Sequence, residues 1–162
     1  MIDIRFFVPG KPQSLKRHRT RRLSNGITIQ MDPSKEDKAD FLVMAMAHRP
    51  DEPINEPVCL EMCCVFQRPK SHYRTGRNAH LLKDTAPYWY SRTPDADNLL
   101  KFVCDALNGI YWTDDKLVIP MGIHRVYGTA PGVYVRVHKP TSFHIQYAVS
   151  FMDGQTNNAE RG

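Results

Sequence analysis

The 162-residue chain has no run of eighteen apolar residues, so no segment reads as a transmembrane helix. Its first residues lack a charged stretch followed by an apolar one, so no secretory signal is expected and the expected compartment is the cytoplasm. Four cysteines, Cys59, Cys63, Cys64 and Cys104, form no CxxC pair, and zinc sites usually announce themselves by such spacing. Reduced, mostly buried thiols are the expectation. There is no internal repeat and no sign of a second domain. Basic residues are also scarce where acids gather. Between Asp95 and Asp115 stand five aspartates and a single lysine, Lys101, in a chain whose net charge is +5.

That contrast carries chemical content. A basic protein suits an acidic partner, of which nucleic acid is the commonest. An acidic knot inside it can hold a divalent cation against a phosphodiester backbone. The pairing points to a metal-dependent nuclease.

Alternation of Ile2, Ile4, Phe6 and Val8 predicts a strand over 2–8, ended by Pro9-Gly10. Residues 11–22 hold six Lys/Arg and read as a basic loop. A short strand is expected over 27–31, then a helix from Asp32-Pro33 to about His48. Val58, Leu60, Met62, Cys64 and Phe66 alternate in a second long strand. Residues 67–94 form a long connection with weak periodicity, rich in Arg, Lys, His and Tyr. Residues 95–109 form the clearest helix: Leu99, Val103, Ala106, Leu107 and Ile110 share a stripe, and Asp97, Lys101, Asp105 and Asn108 lie opposite. Strands are expected over 117–127, 133–138 and 143–151. A domain over 1–152 with a flexible tail over 153–162 follows.

Asp95 and Asp97 stand two residues apart where extended chain becomes helix, so both can face one ion. Oxygen ligands of this kind suit Mg2+. The competing reading is helix capping, at about 1 kcal/mol or less per residue. Asp114-Asp115 caps no evident helix, which favours a third ligand from that pair. Lys101, four residues after Asp97, is either a surface ion pair or a cation beside the scissile phosphate. Asp105 lies about 12 Å along the axis from Asp97 and reads as structural. Lys11, Lys16, Arg17 and Arg19, with Arg68, Lys70, Arg74 and Arg77 of the long connection, would form a basic rim for DNA. His72 and His80 show no metal spacing.

Pro94-Asp95-Ala96-Asp97-Asn98-Leu99-Leu100-Lys101, then Asp105-Ala106-Leu107-Asn108-Gly109, then Trp112-Thr113-Asp114-Asp115, resembles the RusA family of Holliday junction resolvases. Pro9-Gly10-Lys11-Pro12 and Lys16-Arg17-His18-Arg19 resemble that family's basic N-terminal segment. Arg68 to Tyr73 resembles its phage and prophage branch. The likeness covers about residues 2–127. It implies an α+β fold in one domain, a mixed sheet with two principal helices packed on it. It also implies a homodimer making paired symmetric incisions in four-way DNA junctions, in recombination and repair, with Mg2+ (or Mn2+ in its place). Residue by residue, Asp95 and Asp97 match the paired metal ligands, Lys101 the catalytic lysine, and Asp115 the third ligand with Asp114 as alternate. Two other readings stand beside this one: a DNA-binding module without catalysis, and a nuclease for other branched DNA.

Overall fold

In the computed structural model, residues 2–16 and 19–159 are described. Four strands make a mixed sheet: β1 (Asp3–Pro9), β4 (Val58–Gln67), β5 (Val118–Gly128) and β6 (Gly132–His138), in the order β1-β6-β4-β5. β6 runs antiparallel to both β1 and β4, and β5 runs parallel to β4. A separate two-stranded ribbon pairs β2 (Arg19–Arg22) with β3 (Thr28–Met31). Three α-helices complete the single α+β domain: α1 (Lys35–Ala45), α2 (Ala96–Leu107) and α3 (Ser142–Ala159).

The alternation in β1, β4 and β6 puts Phe6, Val8, Leu60, Met62, Cys64, Phe66, Val133, Val135 and Val137 on one buried face. Against it lie Phe41 and Ala45 of α1 and the apolar stripe of α2, where Leu99, Phe102, Val103 and Leu107 are nearly inaccessible to solvent. Asp97, Lys101, Asp105 and Asn108 remain exposed on the opposite side of α2, as the periodicity predicts. Asn108-Gly109 ends that helix, with Gly109 at φ 76°, a conformation that glycine adopts without penalty.

Two elements differ from expectation. The stretch over 143–151 is helical, not a strand. Its alternating Phe143, Ile145, Tyr147, Val149 and Phe151 are all exposed, so no buried face imposes a period of two. β6 already has a partner on each side, and Lys139-Pro140 lead the chain away from it. The helix continues to Ala159, through most of the segment expected as a tail. Second, the basic segment is not all loop. Its last four residues form β2, paired through a turn with β3, and every β3 residue is exposed.

On the sheet face away from α1 and α2, the start of α3 lies beside Cys59, Glu61 and His124. Arg5, Phe7, Glu61, Cys63, His124, Tyr134 and Arg136 line a shallow groove there.

Candidate active site

The path into α2 is fixed by β5. Residues 88–90 run along the outer edge of β5, with Tyr90 N–H donating to the Arg125 carbonyl and Tyr127 N–H to the Tyr88 carbonyl, both at 2.9 Å. Tyr90 stacks on Phe66 with ring centroids 3.7 Å apart. The Arg125 guanidinium then donates to the Arg92 carbonyl at 3.2 Å and the Pro94 carbonyl at 3.0 Å, just ahead of Asp95. This stretch holds a cis Thr93-Pro94 peptide.

Asp95 takes the N-cap position of α2 in an extended conformation, yet its carboxylate makes no capping hydrogen bond. A capping role leaves that bond as its signature, so capping does not account for Asp95. Asp97 sits in the first turn and is exposed. The Lys101 ammonium is 4.0 Å from the Asp97 carboxylate, and both side chains are about two-thirds exposed (66% and 65%). A pair so open to water is worth little to stability, which leaves Lys101 available to a phosphate.

Asp114 and Asp115 follow a tight return after α2. Gly109 N–H donates to the Trp112 carbonyl, Ile54 N–H to that of Tyr111, and Thr113 N–H to that of Ile54. Tyr111 and Trp112 are thereby fully buried. Contrary to expectation, Asp114 does cap something: a single 3-10 turn over Asp115–Leu117, by accepting Lys116 N–H at 3.0 Å. That backbone bond, with the Lys116 ammonium at 3.1 Å, holds the Asp114 carboxyl below its ordinary value. Asp115 has a different partner. Its Oδ1 accepts the Trp112 indole N–H at 2.7 Å.

Asp105 pairs with Lys38 at 3.6 Å, and Lys38 in turn with Asp32 at 2.7 Å, linking α2 to α1. That supports its structural assignment.

The basic residues sort unevenly. Leu15 N–H donates to the Asn98 carbonyl at 3.2 Å, which ties the segment before β2 to the first turn of α2. Lys16 N–H donates to the hydroxyl of buried Ser34, and the Lys16 ammonium pairs with Asp37 at 2.5 Å. Lys11 and Lys70 are exposed. Arg74 is engaged within its own loop, with Asp84 at 2.8 Å and the Leu82 carbonyl at 3.2 Å. Arg17 lies outside the described residues, and Arg19 is described only as part of the β2 backbone. Arg125 and the indole of Trp112 escaped the sequence reading: Arg125 acts through contacts far apart in the chain, and the Trp112 contact, though only three residues away, depends on the conformation of the turn.

Asp95, Asp97 and Asp115 do not converge as a tight set. Among the described residues, only Cys59, Glu61, His138 and His144 bring three or more ligand atoms within 4.8 Å of one another. Neighbouring carboxylates repel one another and stay hydrated.

A family model described as "Endodeoxyribonuclease RusA" matches residues 9–138. The chain is also similar to "Uncharacterized protein YqaN" of Bacillus subtilis (strain 168), 30% identical over 146 residues. That match covers 86% of this chain and 98% of the relative. The chain belongs to the RusA endodeoxyribonuclease family, and is therefore a nuclease. Among the described residues, no helix is long and apolar enough to cross a membrane.

Proposed function

We propose that this member of the RusA family resolves four-way DNA junctions by paired, symmetric, Mg2+-dependent incisions, serving DNA recombination and repair in the cytoplasm. The observation that carries the site assignment is Asp95: an aspartate at a helix N-cap whose carboxylate does not cap. Asp95, Asp97 and Asp115 would hold the ion. Their donors are hard carboxylate oxygens, which fit Mg2+ (or Mn2+) and not a soft cation. When bound, the ion supplies Lewis-acid polarisation of a phosphate oxygen and a more acidic water. Asp115 is favoured over Asp114 as third ligand. One of its oxygens is oriented by an indole, as ligand carboxylates commonly are, whereas Asp114 is occupied with Lys116.

Lys101 would place its ammonium beside the scissile phosphate and offset charge that grows in the transition state. The free N–H groups at the start of α2 favour an anion on the same side. Lys11, Lys16, Arg17, Arg19, Lys70 and Arg74 would contact the backbone, with Lys16 and Arg74 exchanging their present carboxylate partners for phosphate.

A homodimer fits the substrate. A four-way junction has two-fold symmetry, and a C2 pair presents one site to each of two strands. The open sheet face, with the Phe7 and Tyr134 rings tilted against each other at 4.4 Å, and the exposed apolar side chains of α3 are available for such pairing.

The test is cleavage of a synthetic four-way junction by the full chain, with and without Mg2+, beside Asp97→Asn. Paired nicks by the wild type, lost in Asp97→Asn while junction binding persists, are expected. Binding without Mg2+-dependent incision by the wild type would leave a DNA-binding module. Equal cutting of forks or flaps would shift the substrate to other branched DNA.

A further inference from the structure

On the open side of the sheet, far in sequence from the aspartates, four side chains of another chemistry meet. Cys59 and Glu61 are two apart on β4 and so share a face. The antiparallel register puts His138, the last residue of β6, directly opposite Cys59. His144 arrives from the first turn of α3. We propose that Cys59, Glu61, His138 and His144 form a closed, four-ligand site for a borderline transition-metal cation, Zn2+ by chemical class, which fastens α3 to the sheet.

The geometry is close to that of an assembled site. With metal–ligand bonds of about 2.0–2.3 Å, neighbouring ligand atoms of a tetrahedral site stand about 3.3–3.8 Å apart. Cys59 Sγ is 3.5 Å from His144 Nε2, and His138 Nε2 is 3.5 Å from a Glu61 carboxylate oxygen. All four ligand atoms lie within 4.8 Å of one another.

The second observation is independent of the clustering. The His138 side chain is only 6% exposed, and its Nε2, aimed into the cluster, has no hydrogen-bond partner. A buried polar atom left so requires an explanation. Its Nδ1 lies 2.8 Å from the Lys139 carbonyl, which accepts the Nδ1 proton and leaves the lone pair on Nε2. An imidazole fixed through its other nitrogen is the usual form of a metal-ligating histidine. At His144 the Thr141 N–H donates to Nδ1 at 3.1 Å, with the Thr141 hydroxyl 2.8 Å from the same atom, so ligation through Nε2 moves the ring proton to Nδ1, where that hydroxyl accepts it. Glu61 Oε2 faces both the Arg136 guanidinium, at 3.3 Å, and His138 Nε2, at 3.5 Å, so the carboxylate has to share that oxygen or rotate to give one oxygen to the ion and one to the guanidinium.

The donor set selects the cation. One thiolate, two imidazoles and a single carboxylate suit Zn2+, and offer too few oxygens for Mg2+ or Ca2+. On binding, the Cys59 S–H bond breaks, the sulfur–metal bond forms, and the proton leaves to solvent. α3 otherwise begins with Phe143, Ile145 and Tyr147 all exposed and gains little from packing. A bond from His144 to β4 and β6 would supply the missing anchorage.

The test is metal binding by the purified full chain, freed of metal and titrated with Zn2+, and with Co2+ as a visible probe. One tight Zn2+ per chain is expected, with a thiolate-to-cobalt charge-transfer band. Zn2+ should also raise the melting temperature. Cys59→Ser and His144→Ala should each abolish the band and tight binding, while Cys63→Ser and Asp97→Asn retain both. Absence of a tight site in the wild-type chain overturns the proposal, as does tight binding that survives both Cys59→Ser and His144→Ala. The wild-type cobalt band reports sulfur ligation whether or not any variant folds. Because Asp97→Asn leaves this site intact, the outcome is separate from that of the nuclease assignment.

Discussion

The Trp112 indole donates to Asp115 Oδ1 at 2.7 Å, from a side chain with no solvent exposure to a half-buried one. A rigid group packed in the core thus sets the direction of one carboxylate, and the adjacent Asp114 serves a local turn. Trp112→Phe keeps an aromatic ring in the core and removes the donor. Loss of a hydrogen bond to a charged group costs about 1–3 kcal/mol of stability. Junction cleavage should fall roughly 10–100-fold, as for the loss of a partner that orients a metal ligand. Asp115→Asn should be far more damaging than Asp114→Asn, whose main effect is a looser turn. Single-turnover cleavage across Mg2+ concentrations checks this, and equal rates for the two asparagine variants would remove the preference for Asp115.

Arg125 is a positioning residue for the start of α2. It holds the Arg92 and Pro94 carbonyls, immediately before Asp95. Arg125→Met keeps an aliphatic side chain but cannot donate. The expected result is a kcat at least ten-fold lower with junction Kd little changed, because misplacement at the reacting centre is costly. Arg125→Lys should recover part of the rate. A purely structural role would lower melting temperature and leave kcat per folded molecule intact.

Where one face of an element is buried, its pattern was legible in the sequence. β1, β4, β6 and α2 each show the expected stripe, and Asp95, Asp97 and Lys101 occupy the end and exposed face of α2. The third helix was not legible, since Phe143 to Phe151 alternate without any face being buried. Only half of the ribbon was legible: the strand expected over 27–31 is β3, whereas Arg19 to Arg22 gains its order by pairing with it and not from its own composition. The Cys59 cluster depends on strand register: Cys59 and His138 are 79 positions apart and meet only because β4 and β6 align them. Spacing rules for cysteines look along the chain and miss a site assembled across a sheet.

Tyr111 makes a stability prediction that does not depend on function. Its buried hydroxyl donates to the Ala45 carbonyl at 2.7 Å, and burial pushes its ionisation up to about 12. Tyr111→Phe removes that buried hydrogen bond, at about 0.5–1.5 kcal/mol. The neutral hydroxyl is the form the fold retains. As pH rises from the ordinary 10 toward 12, the unfolded chain ionises first and stability is lost. The wild-type advantage over Tyr111→Phe in urea melts should therefore shrink across that range; a constant difference would contradict the assignment.

His72 gives the corresponding effect in acid. It is buried edge-on against Tyr127, with ring centroids 4.6 Å apart, and its Nδ1 has no partner. Desolvation, reinforced by Arg68, Arg92 and Lys83, lowers its proton affinity below the ordinary value of 6.5. The sign follows from linkage. Above 6.5 the imidazole is neutral in both folded and unfolded chains and imposes no penalty. As pH falls from 6.5 toward the depressed folded value, the unfolded chain takes up the proton first and stability drops. His72→Phe keeps a ring of similar size and removes the titration. Urea midpoints of the two proteins from pH 8 to 5 should diverge in the variant's favour as pH falls below about 6.5. Parallel curves would mean that His72 takes up its proton equally well in the folded chain, and that the basic side chains around it exert no net effect.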